Sequence, residues 1–403
     1  MLNVEVANEI AKRFGTPIYI YEEEIIQRQL MNLLSSILYR PLGIFYAMKA
    51  NSNPYILGIL QKTGKEIEDR AIGIDAVSPG EIALALKTEF PAENILFTGN
   101  NTTDEEMDFA VEKGVLLNID SLSRLDKFGK KYPNRRVCIR INPDIGAGHH
   151  EHCITGGPES KFGIWFSEVE PIKRIAQKYH LRIIGIHQHI GSQILKGATF
   201  LDAMTPILKT AMYFPELEFV DLGGGLGVPY RPEEEPLNIK TLGQRMFKHF
   251  TIFCNQYGRR LKLIIEPGRY LVAEAGYLLV RVNTIKRNPN GRTFIGVDSG
   301  FNHLIRPAMY GSYHEIENIS NPGGKSEVVD VVGNICESGD RFAEQRFINQ
   351  PREGDSLVIK TAGAYGYSMS SNYNLRPRPA EVLIKRDGKL NLIRERERIE
   401  DLI

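Results

Sequence analysis

The sequence predicts an α/β protein, a (β/α)8 TIM-type barrel followed by a predominantly β C-terminal domain. Three observations carry this. Eight short apolar runs, each readable as a strand, recur between positions 44 and 265. Stretches of helical composition separate most of them, and eight such repeats is the count of this barrel. After about position 277 the texture changes to short β-branched runs punctuated by Gly, Pro and Asn. A doubly wound open sheet shares the alternation and is the competing fold. The 403 residues accommodate a barrel of about 250 residues and one further domain.

Taken in order, residues 1–27 form an N-terminal segment whose 17–21 stretch can add a strand to the β domain. The barrel is expected over 28–276, with strands at 44–49, 72–77, 95–98, 116–119, 136–141, 183–189, 219–222 and 261–265. Ser78-Pro79-Gly80-Glu81 carries a capping-box pattern with proline at the first helical position. Residues 103–113, 121–132, 167–179 and 200–213 have helical spacing. The β domain, 277–403, holds strands at 277–285, 293–298, 328–332 and 357–361. It closes on a hairpin, 381–386 and 389–394, around Asp387-Gly388 read as a type I′ turn.

Composition narrows the partners. Fifty basic and 49 acidic residues leave a net charge of +1, which gives neither nucleic acid nor an anionic membrane a reason to bind. No window approaches about 18 uninterrupted apolar residues and the start lacks a signal-peptide core. Cys138, Cys153, Cys254 and Cys336 are scattered without a CxxC pair, so free thiols in a reducing cytoplasm are expected.

In a barrel, chemistry gathers where strands end, and the unusual polar residues fall there. Lys49 ends the first strand; an amine at the edge of a core loses solvation, which favours the neutral form needed to condense with a carbonyl cofactor. A solvated strand-end lysine is the structural alternative. Asp75 lies near the end of the second strand. The sixth is followed by His187-Gln188-His189-Ile190-Gly191-Ser192 and the seventh by Gly223-Gly224-Gly225. Consecutive glycines let backbone amides approach an anion, and barrels often bind phosphate after strands seven and eight; a flexible turn is the other reading. The run fits neither a Walker A loop nor GxGxxG, so a phosphate monoester suits it better than a nucleotide. Glu266, opening Glu266-Pro267-Gly268-Arg269, can face a pyridine nitrogen or pair with Arg269. His189 can lie against an aromatic ring or be a core histidine. His149, His150 and His152 sit in a glycine-containing loop without a matching acidic set, and no metal site is expected.

These segments resemble the alanine-racemase-like, fold-type III family of pyridoxal-phosphate-dependent decarboxylases, and within it the diaminopimelate branch. The resemblance runs from about residue 19 to 381. It rests on Tyr46-Ala47-Met48-Lys49-Ala50-Asn51, Thr98-Gly99-Asn100-Asn101, Ser160-Lys161-Phe162-Gly163, His189-Ile190-Gly191-Ser192-Gln193, Gly223-Gly224-Gly225-Leu226-Gly227 and Glu266-Pro267-Gly268-Arg269. It continues through Arg306-Pro307-Ala308-Met309-Tyr310, Cys336-Glu337-Ser338-Gly339-Asp340 and Gly363-Ala364-Tyr365. Each motif is short; the ordered set is specific. Gln188 and Pro79 depart from the pattern of many relatives, and the 149–152 loop is unusually rich in histidine.

The resemblance implies pyridoxal 5′-phosphate as cofactor, with Lys49 as its Schiff-base lysine. It implies a phosphate cradle from Gly225, Ser192 and the Glu266, Pro267, Gly268 and Arg269 segment. Glu266 would meet the ring nitrogen and His189 would stack on the ring. Arg269, Arg306 and Tyr310 would clamp a distal carboxylate, the guanidinium fork matching it bidentately. Glu337 would recognise a distal ammonium, Tyr365 would contact phosphate and substrate, and Cys336 would donate a proton. An ordinary fate for Cys336 would be that of a small buried hydrophobe. The implied reaction is decarboxylation of meso-diaminopimelate to L-lysine by a homodimer with shared active sites. Relatives acting on carboxynorspermidine, ornithine or arginine are the alternative. A racemase would need a second base opposite the cofactor, and a non-catalytic carrier would lack the β domain.

Overall fold

The computed structural model describes residues 2–67, 72–148, 150 and 154–403. The chain divides into two compact units: a barrel unit, 29–228 with 235–270, and a β unit, 2–28 with 229–234 and 271–403. His149, His152 and Cys153 lie outside the described residues. Among the described residues no helix is long and apolar enough to cross a membrane.

The barrel unit is a closed parallel sheet. Its strands are Leu42–Ala47, Gly73–Ala76, Ile95–Phe97, Leu116–Ile119, Arg136–Asn142, Arg182–His187, Phe219–Asp221 and Lys262–Ile265. Each pairs with the next, and the eighth returns to the first with Ile264 opposite Gly43. Closure excludes the doubly wound alternative. The first strand is buried at every position, as expected where helices cover one face and the barrel core the other. Phe45, Leu96, Cys138 and Phe219, one from each odd-numbered strand, pack together with Ile184 and Ile264. This is the layered filling of such barrels. Two residues further along the same strands come Ala47, Thr98, Arg140 and Asp221. The period of two keeps these on the same side, so an apolar floor gives way to a polar layer towards the strand ends.

Local sequence sets the helix starts. Thr103 accepts from the Glu106 N–H at 3.2 Å while Glu106 accepts from the Thr103 N–H at 2.8 Å, a reciprocal box. At Ser78 only half of that pattern forms: Ser78 Oγ accepts from Glu81 N at 3.2 Å, but Glu81 accepts from Val77 N at 2.8 Å.

The β unit holds a nine-stranded mixed sheet. Ile18–Glu22 lies inside it, antiparallel to Gly276–Arg287 and parallel to Ala380–Ile384. Beyond Gly276–Arg287 come Thr293–Val297, Ser326–Val332 and Arg341–Asn349. The last of these was not anticipated: its alternation is broken by Glu344, Gln345 and Arg346, all outward or half-buried. The terminal hairpin differs from the expected type I′ turn. Gly388 adopts φ +80° but Asp387 does not have positive φ, and the Gly388 N–H closes on Lys385 O at 2.8 Å. That is a type I turn followed by a left-handed glycine.

Candidate active site

In the barrel unit, Lys49 lies in the single turn Met48–Ala50 just beyond the first strand. Its Nζ donates to Asp75 Oδ2 at 2.6 Å. Asp75 is fully buried and the lysine side chain is 34% exposed. Thr98 donates to the other carboxylate oxygen. The amine is therefore aimed by a contact with Asp75 that the sequence did not show. Glu81 stands close by, and burial pushes its carboxyl up to about 7, against the Val77 N–H and the charge of Lys49.

The glycine run is packed, which rules out its reading as a loose turn. Gly225 sits at φ +105°, and a Cβ there would come within 2.6 Å of Gly191 O. Gly223, at φ +70°, has its N–H bound to Asp221 Oδ1 at 2.8 Å. His189 Nδ1 accepts the Gly224 N–H at 3.0 Å. Burial, then the positive charges of Lys49 and Arg140, hold that imidazole well below its usual range. A neutral ring that accepts at Nδ1 carries its proton on Nε2. Ser192 Oγ accepts from Arg269 Nη2 at 2.9 Å. The Pro267 carbonyl takes the Ala47 N–H at 3.1 Å, and a Cβ on Gly268 would lie 3.0 Å from Ala47 Cβ. The eighth strand's exit thus packs against the lysine turn.

Glu266 takes its hydrogen bond from His187, Nε2 to Oε2 at 3.1 Å. Burial opposes its ionisation, but His187, Lys49 and Arg140 outweigh burial and keep the carboxyl below the ordinary range. Its Oε1 is buried with no protein partner. His187, Asp221 and Glu266 offer ligand atoms within 4.8 Å of one another; two of the three are already bonded to each other, which makes the group a hydrogen-bond network. A buried anionic oxygen beside a packed glycine cradle and an oriented amine fits pyridoxal phosphate: a basic ring nitrogen, a phosphate and an aldehyde each find suitable chemistry.

In the β unit, Arg306 opens the short helix Arg306–Tyr310 and is buried. Its guanidinium lies over Tyr230, 4.5 Å from the ring centroid, and bonds His314 Nε2 at 3.0 Å. His314 Nδ1 lies 2.8 Å from Lys360 O, an acceptor. That requires a proton on Nδ1 and leaves Nε2 to accept from the arginine. Tyr310 ends the same helix, half-buried. Cys336 and Glu337 are exposed, so Cys336 is not the small core residue that was the alternative. Their loop is tied at its base by Asp340, which accepts the N–H groups of Phe301 at 2.6 Å and Ile335 at 2.7 Å. Glu337 accepts from Tyr373 at 2.6 Å. Tyr365 adopts φ +57°, a left-handed conformation uncommon for a bulky residue.

Arg140 was missed from the sequence. It is buried in the barrel's polar layer, 4.6 Å from the Phe162 ring centroid. A charged residue at an inward position of an otherwise apolar strand was the available signal.

Residues 23–273 match the pyridoxal binding domain of the pyridoxal-dependent decarboxylases. Over 98% of its length the chain is 47% identical to a diaminopimelate decarboxylase of Methanothermobacter thermautotrophicus, covering 93% of that protein. It is 35% identical to the diaminopimelate decarboxylase of Escherichia coli over its full length, covering 96% of it. A crystal structure of the Helicobacter pylori diaminopimelate decarboxylase complexed with L-lysine superposes with a TM-score of 0.89, at 34% identity and 98% coverage of both chains.

Proposed function

The chain belongs to the pyridoxal-dependent decarboxylase family, and from that premise we propose that it converts meso-diaminopimelate to L-lysine and CO2. The observation that carries this reading is a likeness to diaminopimelate decarboxylases that extends over both units. A match to the barrel alone would support only the cofactor.

Bound pyridoxal phosphate supplies the electron sink that stabilises the charge left at Cα when CO2 departs. Lys49 Nζ would hold the cofactor's aldehyde carbon, with Asp75 orienting the amine. Glu266 would keep the ring nitrogen protonated through Oε1, and neutral His189 would lie against the ring without adding charge. Gly225, Ser192 and the Glu266–Arg269 backbone would bind the phosphate, joined by Tyr365. For the substrate, Arg269, Arg306 and Tyr310 would hold the distal carboxylate. The stack on Tyr230 and the bond to neutral His314 fix the plane of the Arg306 fork, and a fixed fork loses less entropy on pairing. Glu337 would take the distal ammonium, and the Cys336 thiol would deliver its proton to Cα.

Cys336 and Glu337 are exposed on a tethered loop, which suits a homodimer in which each subunit's loop serves the other's active site. Free thiols at Cys138, Cys254 and Cys336 suit a reducing cytoplasm. The test is product formation from meso-diaminopimelate with and without added pyridoxal phosphate, with L-lysine, D-lysine, L-ornithine and L-arginine alongside. Cofactor-dependent L-lysine from meso-diaminopimelate alone is expected. Turnover of a basic amino acid in its place would overturn the roles of Arg306, Tyr310 and Glu337.

A further inference from the structure

Three buried titratable groups crowd the ends of adjacent barrel strands. His187 closes the sixth, Asp221 the seventh, and Glu266 follows the eighth. Asp221 is in register with His187 on one side and Ile264 on the other. His187 is 1% and Glu266 3% exposed, and Asp221 is fully buried. One atom of each, His187 Nδ1, Asp221 Oδ2 and Glu266 Oε1, has no protein partner. Two carboxylates so close cannot both ionise cheaply away from water. Which of them carries the charge is decided by their remaining bonds. Glu266 Oε2 is held by the His187 ring, while Asp221 has a single backbone N–H, that of Gly223.

We propose that His187 is the positioning residue for Glu266: its Nε2–H anchors Oε2, so that the charge of the network rests on Glu266 and Oε1 is left facing a donor. Asp221 completes the network as the neutral member. Burial first, and then the charge on Glu266, push its carboxyl well above the usual range. The other charged or titratable groups facing Glu266 are Lys49 and Arg140, with Cys138 beneath. Lys49 and Arg140 help hold the glutamate ionised without a hydrogen bond to it; His187 holds Oε2, while the protonated Asp221 carboxyl lies against the same glutamate as a second, weaker neighbour. The inference rests on the assignment of Glu266 to the cofactor's ring nitrogen.

The test uses holoenzyme, with three readouts: the dissociation constant for pyridoxal phosphate, the pH dependence of the bound cofactor's absorbance, and the pH profile of kcat/KM. His187→Leu should weaken cofactor binding about tenfold or more, the scale of a hydrogen bond to a charged group, and displace the absorbance titration by about one pH unit. His187→Gln, which keeps an N–H donor, should recover most of both. Asp221→Asn, an uncharged stand-in for a protonated aspartate, should leave the absorbance titration in place. Unchanged binding and titration in His187→Leu would overturn the proposal, and so would a displacement in Asp221→Asn as large as that in His187→Leu. Glu266→Gln separates the two layers of argument. If it leaves the absorbance untouched, the assignment of Glu266 itself fails. If it alters the absorbance while His187→Leu does not, only the role of His187 fails.

Discussion

Gly225→Ala tests whether the proposed phosphate cradle needs a bare backbone. The residue sits at φ +105°, where an L side chain is strained by about 1–3 kcal/mol. The new Cβ would also approach Gly191 O to 2.6 Å and Ile194 Cδ1 to 3.3 Å. Relief by a backbone shift is resisted, because Gly225 O accepts the Ile194 N–H at 3.0 Å. Overpacking of this kind adds about 1–3 kcal/mol, for a sum of about 2–6 kcal/mol. In a unit of this size that is roughly 4–24 °C in Tm, with weaker binding of pyridoxal phosphate. Gly258→Ala is the control. It has a comparable φ of +86°, at a helix end, and nothing within 4 Å of the added Cβ. It should cost only the conformational part, about 1–2 kcal/mol. Thermal melts of both apoproteins and titration with pyridoxal phosphate read the difference. Equal Tm losses in the two variants, with cofactor affinity retained in Gly225→Ala, would refute the reasoning.

Arg306→Ala should raise the KM for meso-diaminopimelate by about ten- to a hundredfold, the scale of a charge-assisted bond to a carboxylate; an unchanged KM removes Arg306 from the clamp. For Glu81 the folded carboxyl titrates near 7, above its ordinary value of 4.5. The folded state therefore holds the extra proton between those values, and the associated stability is complete below about pH 4.5 and lost as pH rises towards 7. Relative to wild type, Glu81→Gln should then be more stable at pH 8 than at pH 5, by about 1–3 kcal/mol; a difference in Tm that does not vary with pH would count against the shift. Lys49→Ala and Cys336→Ala subunits, each inactive, should regain activity when mixed if the dimer shares its sites. No recovery in verified heterodimers would reject the shared site.

The strands of the barrel were legible because they are buried on both faces and read as continuous apolar runs, and because residues such as Thr103 and Ser121 mark helix starts through their own side chains. Residues 341–349 were illegible as a strand because an outward-facing stretch carries no apolar alternation. The terminal turn was misassigned because Asp-Gly suits two turn types, and the flanking register, not the dipeptide, selects between them.

Which residue types gather at the strand ends was determined by the sequence alone: a lysine, a glycine run, two histidines and a glutamate at intervals that a barrel returns to one rim. Which of them touch was decided by closure of that barrel. Glu266 could be expected to pair with Arg269, three positions away, yet its Oε2 is bonded by His187, 79 positions away. Lys49 meets Asp75 across 26 residues, and Arg140 lies among the buried carboxylates Glu266, Asp120, Asp75 and Asp221. Local motifs record chain spacing and backbone preference. The partner of a buried charge is set by distances across a closed sheet and by what remains nearby to compensate it once water has been excluded.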